Sequence, residues 1–432
     1  MPPRRPAATR RSRRVAPPRD PDFARLWAGQ TVSVFGSMVT RAALPFTAVL
    51  FLNARPMQMA FQNAADVAPG LVIGLFAGAW VDRLRRRPVM IAADVARALL
   101  LASIPAAAAL GALSMPQLYV VGFLVGALSV TFDVAYISYL PTLVSRERVL
   151  AANSKLAASA AVAETGAFGI GGWLVQWLGG PLTLLVDAAT FLFSAACVGA
   201  IRAPEPAPVP ASQRASVRHE IVAGLRTVWR DPILRSLALW RAVLEISFGI
   251  GATLFVLYCA RTLGFGTGVL GMIFAVGGAS SFAGAVLATR AGRRLGIGPA
   301  MVVALFVMAL ARVLPPLAQG TTLAAVALLV TQQLVGDGAH TIFEIHSTSL
   351  MQRRASDALL GRVTASLRFV SIAAMLAGSF AGGALGESIG PRAALFMTAG
   401  LALLAAIGFA FSPVRSLRDP ASAAVDAPPA VA

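Results

Sequence analysis

Between residues 26 and 412 this chain passes through one long apolar stretch after another, separated by short polar turns. A helix needs about 20 mostly apolar residues to cross the hydrocarbon of a bilayer. The stretches near 26–52, 57–81, 89–111, 116–140, 149–177 and 181–201 each reach that length, and six more follow near 233–261, 267–289, 298–318, 322–350, 360–386 and 392–412. The chain is 57% hydrophobic and only 13% charged, whereas soluble domains carry roughly a quarter charged residues. Twelve spans of this kind occupy roughly 240 residues, leaving short loops, a central linker and two tails. The expectation is an all-α membrane protein with twelve transmembrane helices.

A formal net charge of +18 would suit a nucleic-acid ligand if the arginines formed one patch. Instead, Arg83 to Arg87, Arg146, Arg148, Lys155, the arginines from Arg202 to Arg235, Arg290 to Arg294, and Arg353 with Arg354 fall in alternate turns. The turns near Gly111 to Pro116, Leu178 to Pro181 and Gly320 are almost uncharged. This asymmetry is the positive-inside bias; it puts the basic turns and both termini in the cytoplasm and argues against nucleic acid as a partner. Residues 1–25 and 413–432 read as disordered cytoplasmic tails. Cys197 and Cys259 lie inside apolar stretches with no metal-ligand spacing and point to packing.

The stretches divide into two sets, an N-terminal six-helix bundle over 26–201 and a C-terminal one over 232–412. Between them lies a cytoplasmic linker, 202–231, whose Ala-Pro repeats give way to an amphipathic segment around His219 to Trp229. The sets repeat in sequence. Arg83, Arg86 and Arg87 are matched by Arg290, Arg293 and Arg294, each 207 positions on (290 − 83 = 207), and Leu150 by Leu360, 210 on (360 − 150 = 210). Six spans separate each pair, and an even number of crossings returns the chain to the same side, so the bundles are parallel repeats about an axis along the membrane normal. Gly166, Gly169, Gly171 and Gly172 in the fifth span, and Gly378, Gly382, Gly383 and Gly386 in the eleventh, suit close helix packing.

Four motifs carry a family resemblance. Gly78-Ala79-Trp80-Val81-Asp82-Arg83-Leu84-Arg85-Arg86-Arg87-Pro88 is a charged turn between two apolar runs, with the spacing G-x-x-x-D-R-x-x-R-R. Leu26-Trp27-Ala28-Gly29-Gln30-Thr31-Val32-Ser33 opens the first span, Leu140-Pro141-Thr142-Leu143-Val144 precedes the middle loop, and Leu359-Leu360-Gly361-Arg362-Val363 opens the eleventh span. Over nearly its whole length the chain resembles the major facilitator superfamily, nearest the bacterial exporter branch of siderophore exporters and macrolide-efflux proteins. The resemblance implies two bundles rocking around a midplane cavity, with Gly78, Asp82, Arg83, Arg86 and Arg87 as a gating latch that holds the outward-facing state. Thr289 stands where the second half would carry its counterpart of Asp82, so the latch is one-sided. Arg85 replaces the glycine common in the wider superfamily. The fifth span reads Ala167-Phe168-Gly169 where related exporters often have Gly-Pro at the first two positions, so antiport is not argued from that motif.

Charged groups inside spans are the sharper clue, since each costs about 2.5–3.5 kcal/mol at a helix centre on insertion scales and is expected to face a cavity or a partner. Asp337, His340 and Glu344 lie at i, i+3 and i+7 on one face of the tenth span. Such a trio could load and release a proton, or form an interhelical hydrogen-bonded knot. Gln58, Gln62 and Asp66 form an i, i+4, i+8 stripe in the second span, expected to line the outward vestibule, and Arg41 in the first span could pair with Asp66. Arg241 and Glu245 can neutralise each other at i, i+4 or touch cargo. Asp94, Arg97, Asp133, Glu164, Asp187 and Arg368 read as structural. Phe46, Phe61, Phe248, Phe255, Phe343 and Phe369 would wall a cavity for a bulky amphiphile, although ordinary packing accounts for each singly.

The functional expectation is a secondary transporter, not an enzyme, exporting a hydrophobic or amphiphilic small molecule across the bacterial cell membrane. It is expected to act as a monomer by proton antiport, with no cofactor beyond the proton gradient. Export of a siderophore or other endogenous metabolite, whose anionic groups would want Arg41 or Arg241, is an open alternative. A non-transporting membrane receptor or scaffold is another. There is no His-rich metal cluster and no nucleophile with a base at useful spacing for an enzyme.

Overall fold

Segment length governs the architecture. The computed structural model describes residues 21–73, 84–145, 148–203, 205 and 217–417; among them, nine helices are long and apolar enough to cross a membrane and no strand occurs. The first bundle holds α1 (Pro21–Phe46), α2 (Pro56–Val72), α3 (Arg86–Ala109), α4 (Met115–Leu143), α5 (Val149–Leu178) and α6 (Gly180–Gly199). A separate helix, α7 (Val217–Arg230), leads into the second bundle. That bundle holds α8 (Pro232–Leu257), α9 (Thr267–Leu295), α10 (Ile297–Ala311), α11 (Leu323–Gln332) with α12 (Gly338–Arg354), α13 (Asp357–Ser388) and α14 (Pro391–Ala410). The second, fifth and tenth of the twelve spans are outside the nine. α2 runs up against the undescribed residues 74–83, the sequence of α5 dilutes its apolar residues with Glu164, Gln176 and four glycines, and the tenth is split into α11 and α12.

Several turns are built from single residues. Gly179 alone separates α5 from α6, and Gly296 alone separates α9 from α10, at φ of 81° and 91°. Only glycine takes that left-handed region without steric cost, so one residue ends a helix and starts the next. Proline at the first turn of α2, α6, α8 and α14 starts each helix where its missing N–H is harmless.

Within the first bundle α1 packs on α5 and α6, and α3 on α4 and α6; within the second, α8 packs on α13 and α14. The bundles meet along two seams, α5 against α9 and α2 against α13. At the first seam Gly172 and Gly271 cross so closely that a Cβ on Gly271 would lie 2.8 Å from the Gly172 Cα. Small residues are what allow such an approach.

Two expected tail boundaries are corrected. α1 begins at Pro21, five residues inside the tail assigned to 1–25, because Asp22 anchors its first turn: the carboxylate pairs with Arg25 and accepts from Arg202 N and Ala203 N. At the other end, a turn of 3-10 helix at Pro413–Ser416 docks on α10: Val414 is fully buried and Gly298 N donates to Leu417 O at 2.9 Å. Burying Val414 holds residues assigned to the second tail.

α7 and α8 are joined by one buried acid. Asp231 accepts from Ile233 N (2.8 Å) and Leu234 N (3.0 Å), capping α8, and its other oxygen receives Arg354 Nε and Nη2 at 3.1 Å. Both side chains are under a tenth exposed. Removing one partner leaves the other charge buried, which costs about 3–5 kcal/mol. Asp231→Ala is therefore expected to lower thermal stability by that order, measured by unfolding in detergent. A melting temperature equal to wild type would contradict the assigned role of the pair.

Candidate functional site

A cavity of ≈ 680 Å³ opens in the second bundle beside the α5 seam. Its walls are aromatic: Phe168 of α5, Phe248 and Phe255 of α8, and Phe274 and Phe282 of α9. Phe274 sits at the middle of this wall, with ring centroids 6.0 Å from Phe168 and 5.7 Å from Phe255. Its polar lining comprises Arg312 at the end of α10, Gln332, Gln333, Asp337 and His340, with the hydroxyls of Ser281 and Thr398. Volume and lining suit a ligand with one broad apolar part and one polar end.

A π turn, Gln333–Asp337, carries two of those polar groups, Gln333 and Asp337. It inserts an extra residue into the helical register between α11 and α12, a local feature often found at functional sites, and it leans Asp337 and Gln333 against Gly277 of α9. Gly277 has no side chain to fill that space. Arg312 Nη1 donates to Ser247 Oγ at 3.0 Å, and its guanidinium lies 6.0 Å from the Phe248 ring. The charges of Asp337 and Glu245 both act on it.

The expected trio on the tenth span divides. Asp337 and His340 line the cavity, but Glu344 turns to Arg241, whose Nη1 lies 2.9 Å from Glu344 Oε2. The π turn lies immediately N-terminal to this stretch, and Arg241 across on α8 provides the acid with a partner. Arg241 also donates to Ser371 Oγ at 2.9 Å and approaches Glu245 at 3.7 Å, so its better partner is across the bundle, not along its own helix. His340 stands between the groups, within the influence of Glu344, Arg312 and Arg241. The result is a ladder of charge along α8 and α12 from Arg241 to the cavity floor.

In the first bundle, Gln62 is buried and donates to Asp66 Oδ1 at 3.0 Å. Arg41 is near enough for its charge to act on Asp66, but no ion pair between them is formed. Gln58 accepts from Arg55 N at 2.8 Å and so caps the start of α2. None of these residues lines the aromatic cavity. Phe46 and Phe343 are only 1% exposed and belong to the cores, and Phe61 packs edge-on against Phe380.

Gly78, Asp82 and Arg83 of the proposed latch lie outside the described residues. Arg86 N and Arg87 N donate to the Glu205 carboxylate, and the Arg87 guanidinium binds Val198 O and Gly199 O at the end of α6. A cation over orphan C-terminal carbonyls is favourable, and here it ties α3 to α6 within one bundle. Asp94, Arg97 and Asp187 form a buried knot: Arg97 pairs with Asp94 and stacks 4.0 Å from the Phe191 ring, while Asp187 accepts from Thr40 at 2.6 Å and Thr190 at 2.9 Å.

Hydrogen bonds join the bundles toward the end away from the basic turns. α1 and α8 both finish there in π turns, Thr47–Phe51 and Tyr258–Thr262. Arg261 reaches from the second to Ala54 O (2.8 Å), Val49 O (2.5 Å) and Asn53 Oδ1 (3.4 Å) in the first. Gln176 Oε1 accepts from Gly268 N at 2.8 Å, and Asn63 Nδ2 donates to Ser379 Oγ at 2.7 Å. At roughly 1 kcal/mol per net bond, Arg261→Ala is expected to raise the population with this end parted by about fivefold or more. Spin labels at Arg55→Cys and Thr262→Cys, in a background without Cys197 and Cys259, report it as a longer distance; an unchanged distribution would deny Arg261 this function.

Arg312, Gln332, Gln333, Phe274 and Phe282 were not singled out from the sequence. Arg312 carried a usable signal: a lone cation inside an apolar stretch, three residues before Pro315-Pro316.

A family model described as Major Facilitator Superfamily matches residues 26–371. The multidrug efflux pump Tap of Mycolicibacterium fortuitum is 30% identical over 381 residues, covering 86% of this chain and 89% of that protein. Among solved structures, a bacterial homologue of the iron transporter ferroportin in an inward-facing state superposes with a TM-score of 0.73 at 17% identity, covering 90% of this chain and 97% of that one. The nucleoside transporter NupG gives 0.71 at 13% identity, covering 90% and 98%. These structures establish the fold: twelve helices in two parallel-repeat bundles.

Proposed function

This chain belongs to the major facilitator superfamily of multi-pass membrane transporters, and from that premise we propose that it exports a hydrophobic or amphiphilic small molecule, a drug or secondary metabolite, by proton antiport. The cavity carries this reading: five phenylalanines face one cluster of Arg312, Asp337 and His340, so an apolar body and a polar end are both accommodated. The likeness to a multidrug efflux pump supports export. Antiport draws on the charge ladder, whose inner acid, Asp337, shares the cavity with the cargo and so can exchange a proton for it. The monomer works without a resident cofactor in the bacterial inner membrane, the basic turns and both termini cytoplasmic. The halves, 26–201 and 232–412 joined by 202–231, rock about the cavity. With the far end tied by Arg261, the chain faces inward.

Cells expressing the chain are expected to accumulate less ethidium than cells with an empty vector, and a protonophore should abolish the difference. Equal accumulation across a panel of amphiphiles would remove the export reading. Arg312 also offers an anchor for an anionic cargo such as a siderophore; in that case a deletion strain retains an endogenous anion that wild type releases, seen by metabolite profiling.

A further inference from the structure

α7 has two unlike faces. One is pinned to the second bundle. Val228 is 1% exposed, Gly224 sits so close to Arg362 O and Ser366 Oγ that a side chain would collide with them, and Asp231, the next residue after the helix, is buried on Arg354. The other face presents Arg226, Trp229 and Arg230 at i, i+3 and i+4, all exposed, with Trp229 at 62%. Exposed Arg235, one turn into α8, joins them: its Nη1 lies 3.4 Å from Trp229 O.

We propose that this face, Arg226, Trp229, Arg230 and Arg235, binds the headgroup of an anionic phospholipid. Position is the first reason. Arg230 lies two residues before Pro232, where a membrane-crossing helix starts, so the patch stands at headgroup level, the depth at which tryptophan concentrates. Charge is the second. Three guanidinium groups share the patch, and the adjoining carboxylate in the sequence, Asp231, is turned inward and already bonded to Arg354 and the α8 amides. Guanidinium forks fit phosphate oxygens, and a headgroup with net negative charge relieves their mutual repulsion where a zwitterionic one does not. The indole is the third reason: its apolar surface suits the glycerol and upper acyl chain of a lipid and gives nothing to a free phosphate. Because three contacts fix the inner face, the basic face is held ready and does not fold on binding.

The test uses the full chain purified in detergent, offered equal amounts of palmitoyl-oleoyl phosphatidylglycerol and phosphatidylcholine, with retained lipid read by native mass spectrometry. Wild type is expected to keep phosphatidylglycerol in preference. R226Q/R230Q/R235Q is expected to weaken that retention by about 100-fold, a factor of about five for each arginine at an anionic surface. W229A should weaken it for both lipids. R290Q/R293Q/R294Q removes equal charge from another basic turn and is expected to leave retention unchanged. The proposal is overturned if the two triple variants lose lipid equally, if the two lipids bind alike, or if millimolar inorganic phosphate displaces phosphatidylglycerol. The readout requires no transport, so it stands apart from the export reading.

Discussion

Asp337→Asn is expected to reduce pH-driven accumulation of ethidium in proteoliposomes to the level of protein-free vesicles, while exchange of ethidium across the same membrane continues. Asparagine keeps the size of aspartate and one acceptor oxygen but has no carboxyl group to load and release a proton. The side chain lines the cavity beside Gly277 and acts on Arg312, so the substitution removes the acid without filling the space the cargo needs. Glu344→Gln should weaken accumulation less, because Glu344 is held by Arg241 at 2.9 Å and lies outside the cavity. Undiminished pH-driven accumulation by Asp337→Asn would separate proton coupling from this cavity.

Gly172→Val is expected to stop transport with the protein still folded and inserted. A Cβ at Gly172 would lie 2.5 Å from Thr267 O and 2.6 Å from the Gly271 Cα. Both are backbone atoms of the first turns of α9, so no side-chain rotation relieves the overlap, and the bundles must part along the α5–α9 seam. Overpacking of this kind costs about 1–3 kcal/mol, a shift of about 5- to 150-fold against the state in which this seam is closed. Gly166→Val on the same helix, where a Cβ meets nothing within 4 Å, is the control and should transport normally. Equal activity of the two variants in the ethidium assay would show that the close crossing is not needed for the cycle.

Much of the fold was legible because the bilayer dictates it. About 20 apolar residues per span is a constraint of lipid thickness, so the expected stretches 116–140 and 181–201 fall close to α4 (Met115–Leu143) and α6 (Gly180–Gly199). The helix around His219 to Trp229 was legible for a related reason, its apolar residues recurring on one face. Less legible were features fixed by tertiary fit. The three π turns leave no mark in composition, and the one at Gln333–Asp337 sits at the head of the stretch that sends Asp337 to the cavity and Glu344 to Arg241. Arg312 was visible as a cation in an apolar stretch, but its place on the cavity depends on how α10 packs. The tail boundaries moved because single contacts, Asp22 on Arg202 N and Val414 in its core, hold segments whose composition looks unstructured.

The most direct test of cargo and proton sharing the Arg312–Asp337–His340 cavity is the internal pH of proteoliposomes when an ethidium gradient is imposed without a pH gradient. Ethidium movement through the wild-type protein should drive protons the opposite way, and Asp337→Asn should move ethidium with the internal pH unchanged. Ethidium crossing with no proton signal in the wild type, or the same signal in Asp337→Asn, would contradict it.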